Sequence, residues 1–202
     1  KNDEAFSLIL DAVEDAGYAP GRDIALGMDV AASEFYDADT SRYTLAVEKK
    51  TLTAPELVGL YESWLKKYPL LVLEDGLAED DWGNWETLTR KLGKKLTLIG
   101  DDLFVTNVRR IEEGIRRGVA NAVLIKLNQI GSLTETMDAI ALAQEHAYKV
   151  AVSHRSGETA DTFIADLSVA VGAEFIKTGS LSRSERIEKY NRLMEIEEEA
   201  GK

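Results

Sequence analysis

Short apolar runs, many of them β-branched, return along the chain at a nearly constant interval, and each is followed by a stretch of helical periodicity. They are Ile24 to Asp29, Leu70 to Glu74, Leu96 to Asp101, Ala122 to Lys126, Lys149 to His154 and Glu174 to Lys177. The starts fall at 24, 70, 96, 122, 149 and 174, so past the first gap the spacing holds at 25 to 27 residues. That is the period of a strand–helix unit, and about six such units in series predict an α/β fold of the TIM-type (β/α) barrel kind. The wider first gap has room for an extra strand around Tyr43 to Val47. A closed barrel takes eight strands, and six would leave two exposed edges, so the barrel is expected to be incomplete in this chain.

Helix starts punctuate the repeat. Thr53-Ala-Pro55-Glu56 combines a capping box with an early-turn proline, and Ser132 with Glu135 and Ser182 with Glu185 repeat the spacing. Asn2-Asp3-Glu4 reads as the cap and first turn of a helix carrying Phe6, Ile9, Leu10 and Val13. Opening in a helix with no strand before it leads to the expectation that an upstream portion is missing. No linker of Pro, Gly or Ser divides the chain, so residues 1–202 are read as one domain. A 45% apolar composition is enough to bury its core.

The polar residues that close the strands carry the functional reading: Asp29, Glu74, Asp101, Lys126, His154 and Lys177. In a barrel of this type the carboxyl ends of the strands meet at the active site. Three carboxylates on consecutive strands would repel one another without a cation between them. Hard oxygen ligands, in a chain with no cysteine and two histidines, favour Mg²⁺ over Zn²⁺. Asp75 and Asp102 should point to the opposite side by strand alternation and are read as supporting groups. A divalent cation and a second ammonium both favour a neutral lysine amine, which makes Lys126 and Lys177 suited to taking a proton α to a carboxylate. Arg155 can grip a phosphate in two places and Ser156 can add a hydroxyl. Gly179 fits a tight turn or a close backbone approach.

The remaining features are structural. His146 is a helix-end surface residue, and Trp64, Trp82 and Trp85 are packing residues. Arg109-Arg110 and Arg116-Arg117 alternate with Glu112-Glu113 as a solvated face. With a net charge of −12 the chain is a poor partner for nucleic acid, and no run is long enough for a membrane span. The lack of cysteine suits a cytoplasmic setting.

Six stretches together resemble the enolase family across essentially the whole chain. They are Ala25 to Tyr36 around Asp29, Leu73 to Trp82 around Glu74, and Gly100 to Asn107 around Asp101. The others are Ile125 to Gly131 around Lys126, Ser153-His-Arg-Ser-Gly-Glu-Thr159, and Ile176-Lys-Thr-Gly-Ser180. The resemblance implies the Mg²⁺-dependent, reversible dehydration of 2-phosphoglycerate to phosphoenolpyruvate in glycolysis and gluconeogenesis. On it, Asp29, Glu74 and Asp101 bind the Mg²⁺ that holds the substrate carboxylate, and Lys126 removes the C2 proton. Lys177 contacts the carboxylate and helps stabilise the enolate, Arg155 and Ser156 bind the phosphate, and His154 lies close to the substrate. Enolases also carry a smaller N-terminal α+β domain, early-barrel glutamates, one of which assists loss of the C3 hydroxyl, and mobile closing loops. None of these is found in this sequence, so the chain alone is expected to be weakly active or inactive. A homo-oligomer is implied for the full-length protein, and a secondary surface-receptor or complex role, at the cell surface or secreted, is compatible. The alternatives are an enolase-superfamily lyase or racemase of non-phosphorylated acids, or a non-catalytic binding or scaffold role.

Overall fold

A computed structural model describes residues 2–201, which form two compact units. One comprises the residues up to Leu103 together with Arg116–Asn121; the other comprises Phe104–Ile115 and the residues from Ala122 onward.

The first unit opens with α1 (Glu4–Asp15) and continues through β1 (Leu26–Asp29), a 3-10 turn (Ala32–Phe35), β2 (Tyr36–Asp37), β3 (Arg42–Leu45) and β4 (Lys50–Leu52). It is completed by α2 (Ala54–Lys67), β5 (Leu70–Glu74), α3 (Trp82–Leu92) and β6 (Thr97–Gly100). Strands β1, β5 and β6 pair in parallel in that order. The extra strand expected around Tyr43 belongs to a separate antiparallel sheet, β2-β3-β4. Helix α2 starts on the predicted capping box, with Thr53 Oγ1 accepting from Glu56 N–H and the Glu56 carboxylate accepting from Thr53 N–H at 2.7 Å. At α1 the capping expectation fails. Asp3 makes no cap bond; its carboxylate instead accepts from the Tyr68 hydroxyl and Lys67 Nζ, both at 3.2 Å. Phe6 and Val13 are buried on this helix, whereas Ile9 is 49% exposed.

The second unit holds most of α4 (Val108–Arg117), then β7 (Ala122–Ile125), α5 (Leu127–Ile130), α6 (Leu133–Glu145) and β8 (Lys149–Ser153). After these come α7 (Phe163–Ala170), β9 (Phe175–Lys177) and α8 (Ser184–Glu199). Strands β7, β8 and β9 pair in parallel in that order. Ser132 caps α6 as predicted, accepting from Glu135 N–H at 3.3 Å. The expected Ser182 cap is absent. The residue preceding α8 is Arg183 in a left-handed conformation (φ 83°), and the Ser182 hydroxyl bonds Ser180 instead.

Parallel strands covered on both faces read as apolar runs, but the cover here is uneven: β1 is buried only at Leu26, and Leu71 of β5 is 44% exposed. All of β7 is buried, and so are Val150 to Val152 of β8. In the first unit Leu73 and Leu98, neighbours in register, are buried with Trp85, Leu88 and Leu92 of α3. Each such side chain contributes about 1.5–3 kcal/mol of hydrophobic stabilisation. Together the units supply six parallel βα strands of the eight in a closed barrel, which is the α/β, incomplete TIM-type architecture expected.

Candidate functional site

In the first unit the acidic residues sit at the carboxyl ends of the three parallel strands. Asp29 closes β1, Glu74 closes β5, and Asp101 follows β6 directly. The register places Asp29 opposite Glu74 and Glu74 opposite Ile99, so Asp29 and Glu74 share one face. Asp29 is exposed, while Glu74 and Asp101 are buried. Asp29 Oδ1 accepts from Ala31 N–H at 3.1 Å.

Asp75 ties these strand ends together. Its N–H donates to Ile99 O at 3.0 Å, its carbonyl accepts from Ala32 N–H at 3.1 Å, and it adopts a left-handed φ of 43°. Its carboxylate accepts from Asp101 N–H at 3.0 Å and Asp102 N–H at 2.8 Å. The supporting role read from the sequence is thus present, but the segregation from Asp101 is not. Ligand oxygens of Asp75, Asp101 and Asp102 all lie within 4.8 Å of one another. Strand alternation stops at Gly100, where β6 ends, so it does not govern the two residues that follow. Burial pushes the Asp75 carboxyl up to about 7; its backbone donors oppose this, and the Asp101 and Asp102 carboxylates add to it. Among the described residues this cluster takes in Asp101 of the expected metal trio but neither Asp29 nor Glu74; its crowded carboxylates, two buried and Asp102 half-buried, suit a hard divalent cation such as Mg²⁺.

The segment after Glu74 is held by aromatic side chains. The Tyr61 hydroxyl donates to Gly76 O at 2.8 Å, and the Trp85 indole donates to Leu77 O and Ala78 O. The Tyr43 hydroxyl accepts from Ala78 N–H at 3.1 Å and donates to Asp81 at 2.9 Å. Trp85 and Trp64 are packing residues, as read, and Trp82 lies under the Arg117 guanidinium.

In the second unit the cationic and hydroxyl residues occupy the equivalent strand ends. Lys126 follows β7 and is half-buried. Its N–H donates to the hydroxyl of Thr106 at 2.9 Å, and that hydroxyl lies 3.2 Å from Gln129 Oε1. Thr106 is fully buried, and it and Val105 are both left-handed (φ 54° and 45°). For β-branched residues this backbone costs about 1–2 kcal/mol each. Thr106 went unrecognised in the sequence, because nothing local marks a threonine that reaches 20 residues ahead.

Lys177 ends β9 opposite Ser153, and its carbonyl accepts from His154 N–H at 2.8 Å. Arg155 and Ser156 are exposed in the segment after β8, and Arg155 donates to Asn128 Oδ1 at 2.9 Å. This brings the Arg155 side chain to the short helix that Lys126 precedes. Two cations from α8 fix the segment's backbone. Arg186 donates to Arg155 O at 2.8 Å and Ser156 O at 3.0 Å, and Lys189 donates to Thr159 O and to Glu185 O at 2.7 Å. Both are buried, a burial that helix periodicity in the Glu-rich α8 gave no means to separate from its solvated charges. Gly179 is left-handed (φ 87°), and a Cβ there would lie 2.8 Å from Arg186 Cδ, which bears out the close approach read from the sequence.

The setting is cationic. Burial lowers the His154 pKa, with Arg186, Lys177 and Lys189 acting in the same direction and Glu158 opposing them. His146, by contrast, is an exposed helix-end residue whose ring contacts Leu142 O, as read. No helix among the described residues is long and apolar enough to cross a membrane. Across residues 1–202 the chain matches the family described as enolase, C-terminal TIM barrel domain.

Proposed function

Since the chain belongs to the enolase C-terminal TIM barrel family, we propose that it carries the barrel chemistry of enolase, the reversible Mg²⁺-dependent dehydration of 2-phosphoglycerate to phosphoenolpyruvate. The observation that carries this reading is the sorting of strand ends. Carboxylates close all three parallel strands of one unit, and Lys126, His154 and Lys177 close those of the other. An acid whose α-proton is to be removed needs both kinds of group.

Asp29, Glu74 and Asp101 would hold the Mg²⁺, whose chemistry is to neutralise the substrate carboxylate as negative charge builds on it. Lys126 takes the proton from C2. The Thr106 hydroxyl fixes the backbone from which that amine projects. Lys177 offers an ammonium to the carboxylate, and His154 lies beside it on the next strand end. Arg155 and Ser156 select for a phosphorylated acid, Arg155 by leaving Asn128 to make two-point contact with phosphate oxygens. That choice separates the proposal from a superfamily enzyme of non-phosphorylated acids. One domain, a cytoplasmic setting and a homo-oligomeric whole protein belong to the same proposal.

Deuterium exchange at C2 of 2-phosphoglycerate tests it, because exchange reads proton abstraction independently of hydroxyl loss. Mg²⁺-dependent exchange that disappears in Lys126→Ala is expected. Exchange of a non-phosphorylated 2-hydroxy acid at an equal rate, or exchange that survives Lys126→Ala, refutes the assignment.

A further inference from the structure

The Arg186 guanidinium meets the imidazole of His154 at Nδ1. A guanidinium has donors only and keeps its protons throughout the accessible pH range. The nitrogen it faces must therefore accept, which leaves the ring's single proton on Nε2. We infer that Arg186 is a positioning residue that holds His154 with its proton on Nε2, so that the ring presents a hydrogen-bond donor, and not a base, to an anion bound at the strand ends.

The surroundings leave Arg186 little freedom to do otherwise. The same NH1 that meets the ring donates to Arg155 O, and NH2 donates to Ser156 O, so one planar group spans three consecutive residues. Its aliphatic stem is packed against Gly179, where any side chain would collide with Cδ and Cγ. Arg186 is only 7% exposed, so water offers no substitute acceptor. Every other charged group that acts on the ring has a consistent role. Lys177 on β9 and Lys189 on α8 disfavour a second proton, as Arg186 does, and Glu158 opposes them while pairing with Lys189 at 3.5 Å. A neutral Nε2–H donor suits an anionic ligand surrounded by cations, because it adds a directed hydrogen bond without taking a proton from the acid.

The inference rests on reading His154 as a residue of the proposed site, but its test needs neither Mg²⁺ nor substrate. The chain has two histidines, so His146→Gln leaves a single imidazole to observe. Long-range ¹H–¹⁵N correlation spectra of that protein between pH 7 and 8 are expected to show Nε2 protonated and Nδ1 bare. Arg186→Gln should give a mixture of both tautomers and move the ring's titration midpoint upward. Where Arg186→Gln does not fold, Arg186→Met keeps an unbranched apolar stem without any donor and should give the same mixture. A proton on Nδ1 in the unsubstituted ring, or a ring still wholly Nε2-protonated in the variant that folds, overturns the inference. Absence of C2 exchange would instead sink the functional reading while leaving the tautomer as found.

Discussion

The hydroxyl of Thr106 accepts the backbone N–H of Lys126 at 2.9 Å, across 20 residues and from a left-handed, fully buried position. Val105 and Thr106 are both β-branched and left-handed, and the Thr106 bond fixes the backbone from which the proposed base leaves. Thr106→Val keeps the shape and the strain but removes the acceptor. The stranded N–H should cost about 1–3 kcal/mol of stability. If Lys126 moves by an ångström, C2 exchange should fall on the order of 100-fold. Thr106→Ser retains the oxygen and should retain most of both. Thermal melts and the exchange assay on the pair check this.

At Gly179 two constraints coincide: φ is 87°, and a Cβ would come within 2.8 Å of Arg186 Cδ and 3.2 Å of His154 Cε1. Gly179→Ala should lose roughly 1–3 kcal/mol from the backbone alone. At about 2–4 °C per kcal/mol for a chain of this size, calorimetry should show a melting point several degrees lower. The displaced Arg186 should also loosen residues 154 to 156, visible as faster amide exchange in that segment. An unchanged melt would mean the turn relaxes more freely than its contacts indicate.

What could be read before folding was whatever local pattern dictates. The run Leu70 to Glu74 became β5 residue for residue, because a continuous apolar stretch ending in a carboxylate has one comfortable place in a parallel sheet. The Thr53 box formed because both its bonds lie within four residues. The Ser182 box does not form: the chain takes φ 83° at Arg183, the residue just before the helix, and the Ser182 hydroxyl bonds Ser180. Asp3 was drawn from its cap by Lys67 and Tyr68, more than 60 residues away. The strand-end positions of Asp29, Glu74, Lys126, His154 and Lys177 were legible, and so was Asp75 as a supporting group, whereas Thr106, Arg186 and Lys189 act through long-range bonds to the backbone. Their identity in sequence carries no trace of that.

Glu74 and Asp29 face each other in register, and Asp101 shares its neighbourhood with Asp75 and Asp102. Mg²⁺ should therefore stabilise the chain by linkage, by about 2.7 kcal/mol at 100 times its dissociation constant. Glu74→Gln or Asp101→Asn removes one charge from the proposed donor set and should abolish most of that gain. Melting curves of all three proteins with and without Mg²⁺ measure the gain. An equal Mg²⁺ shift in all three proteins would rule out these carboxylates as ligands.

Lys189 is fully buried, with its ammonium on Thr159 O, Glu185 O and Glu158. Burial alone would raise the Glu158 pKa, but N–H donors from Thr159 and Arg155 together with Lys189 outweigh it and bring the value down. Lys189→Met fills the same volume without the charge. It leaves Glu158 without its cation, held by backbone N–H groups alone, and Thr159 O without this donor, so it should cost about 3 kcal/mol by denaturant unfolding. Lys189→Met combined with Glu158→Gln should recover part of the loss, a coupling that simple packing damage would not show.

The folded-state pKa of His154 lies below its ordinary 6.5, first because the ring is partly buried and then because Arg186, Lys177 and Lys189 surround it. A depressed histidine binds its proton less readily folded than unfolded. Its contribution to stability is thus complete above about 6.5 and is lost as pH falls through the folded value. Stability measured from pH 8 downward should hold level with respect to this group until about 6.5 and then decline. In His154→Gln, which cannot charge, that part of the decline should vanish. The same protonation would replace a ring that accepts from Arg186 with one that repels it. Amide exchange in residues 154 to 156 should therefore rise over the same acid range in the parent and stay flat in His154→Gln. A parent whose acid limb is unaltered by the substitution would show that Glu158 compensates the surrounding cations more fully than the geometry implies.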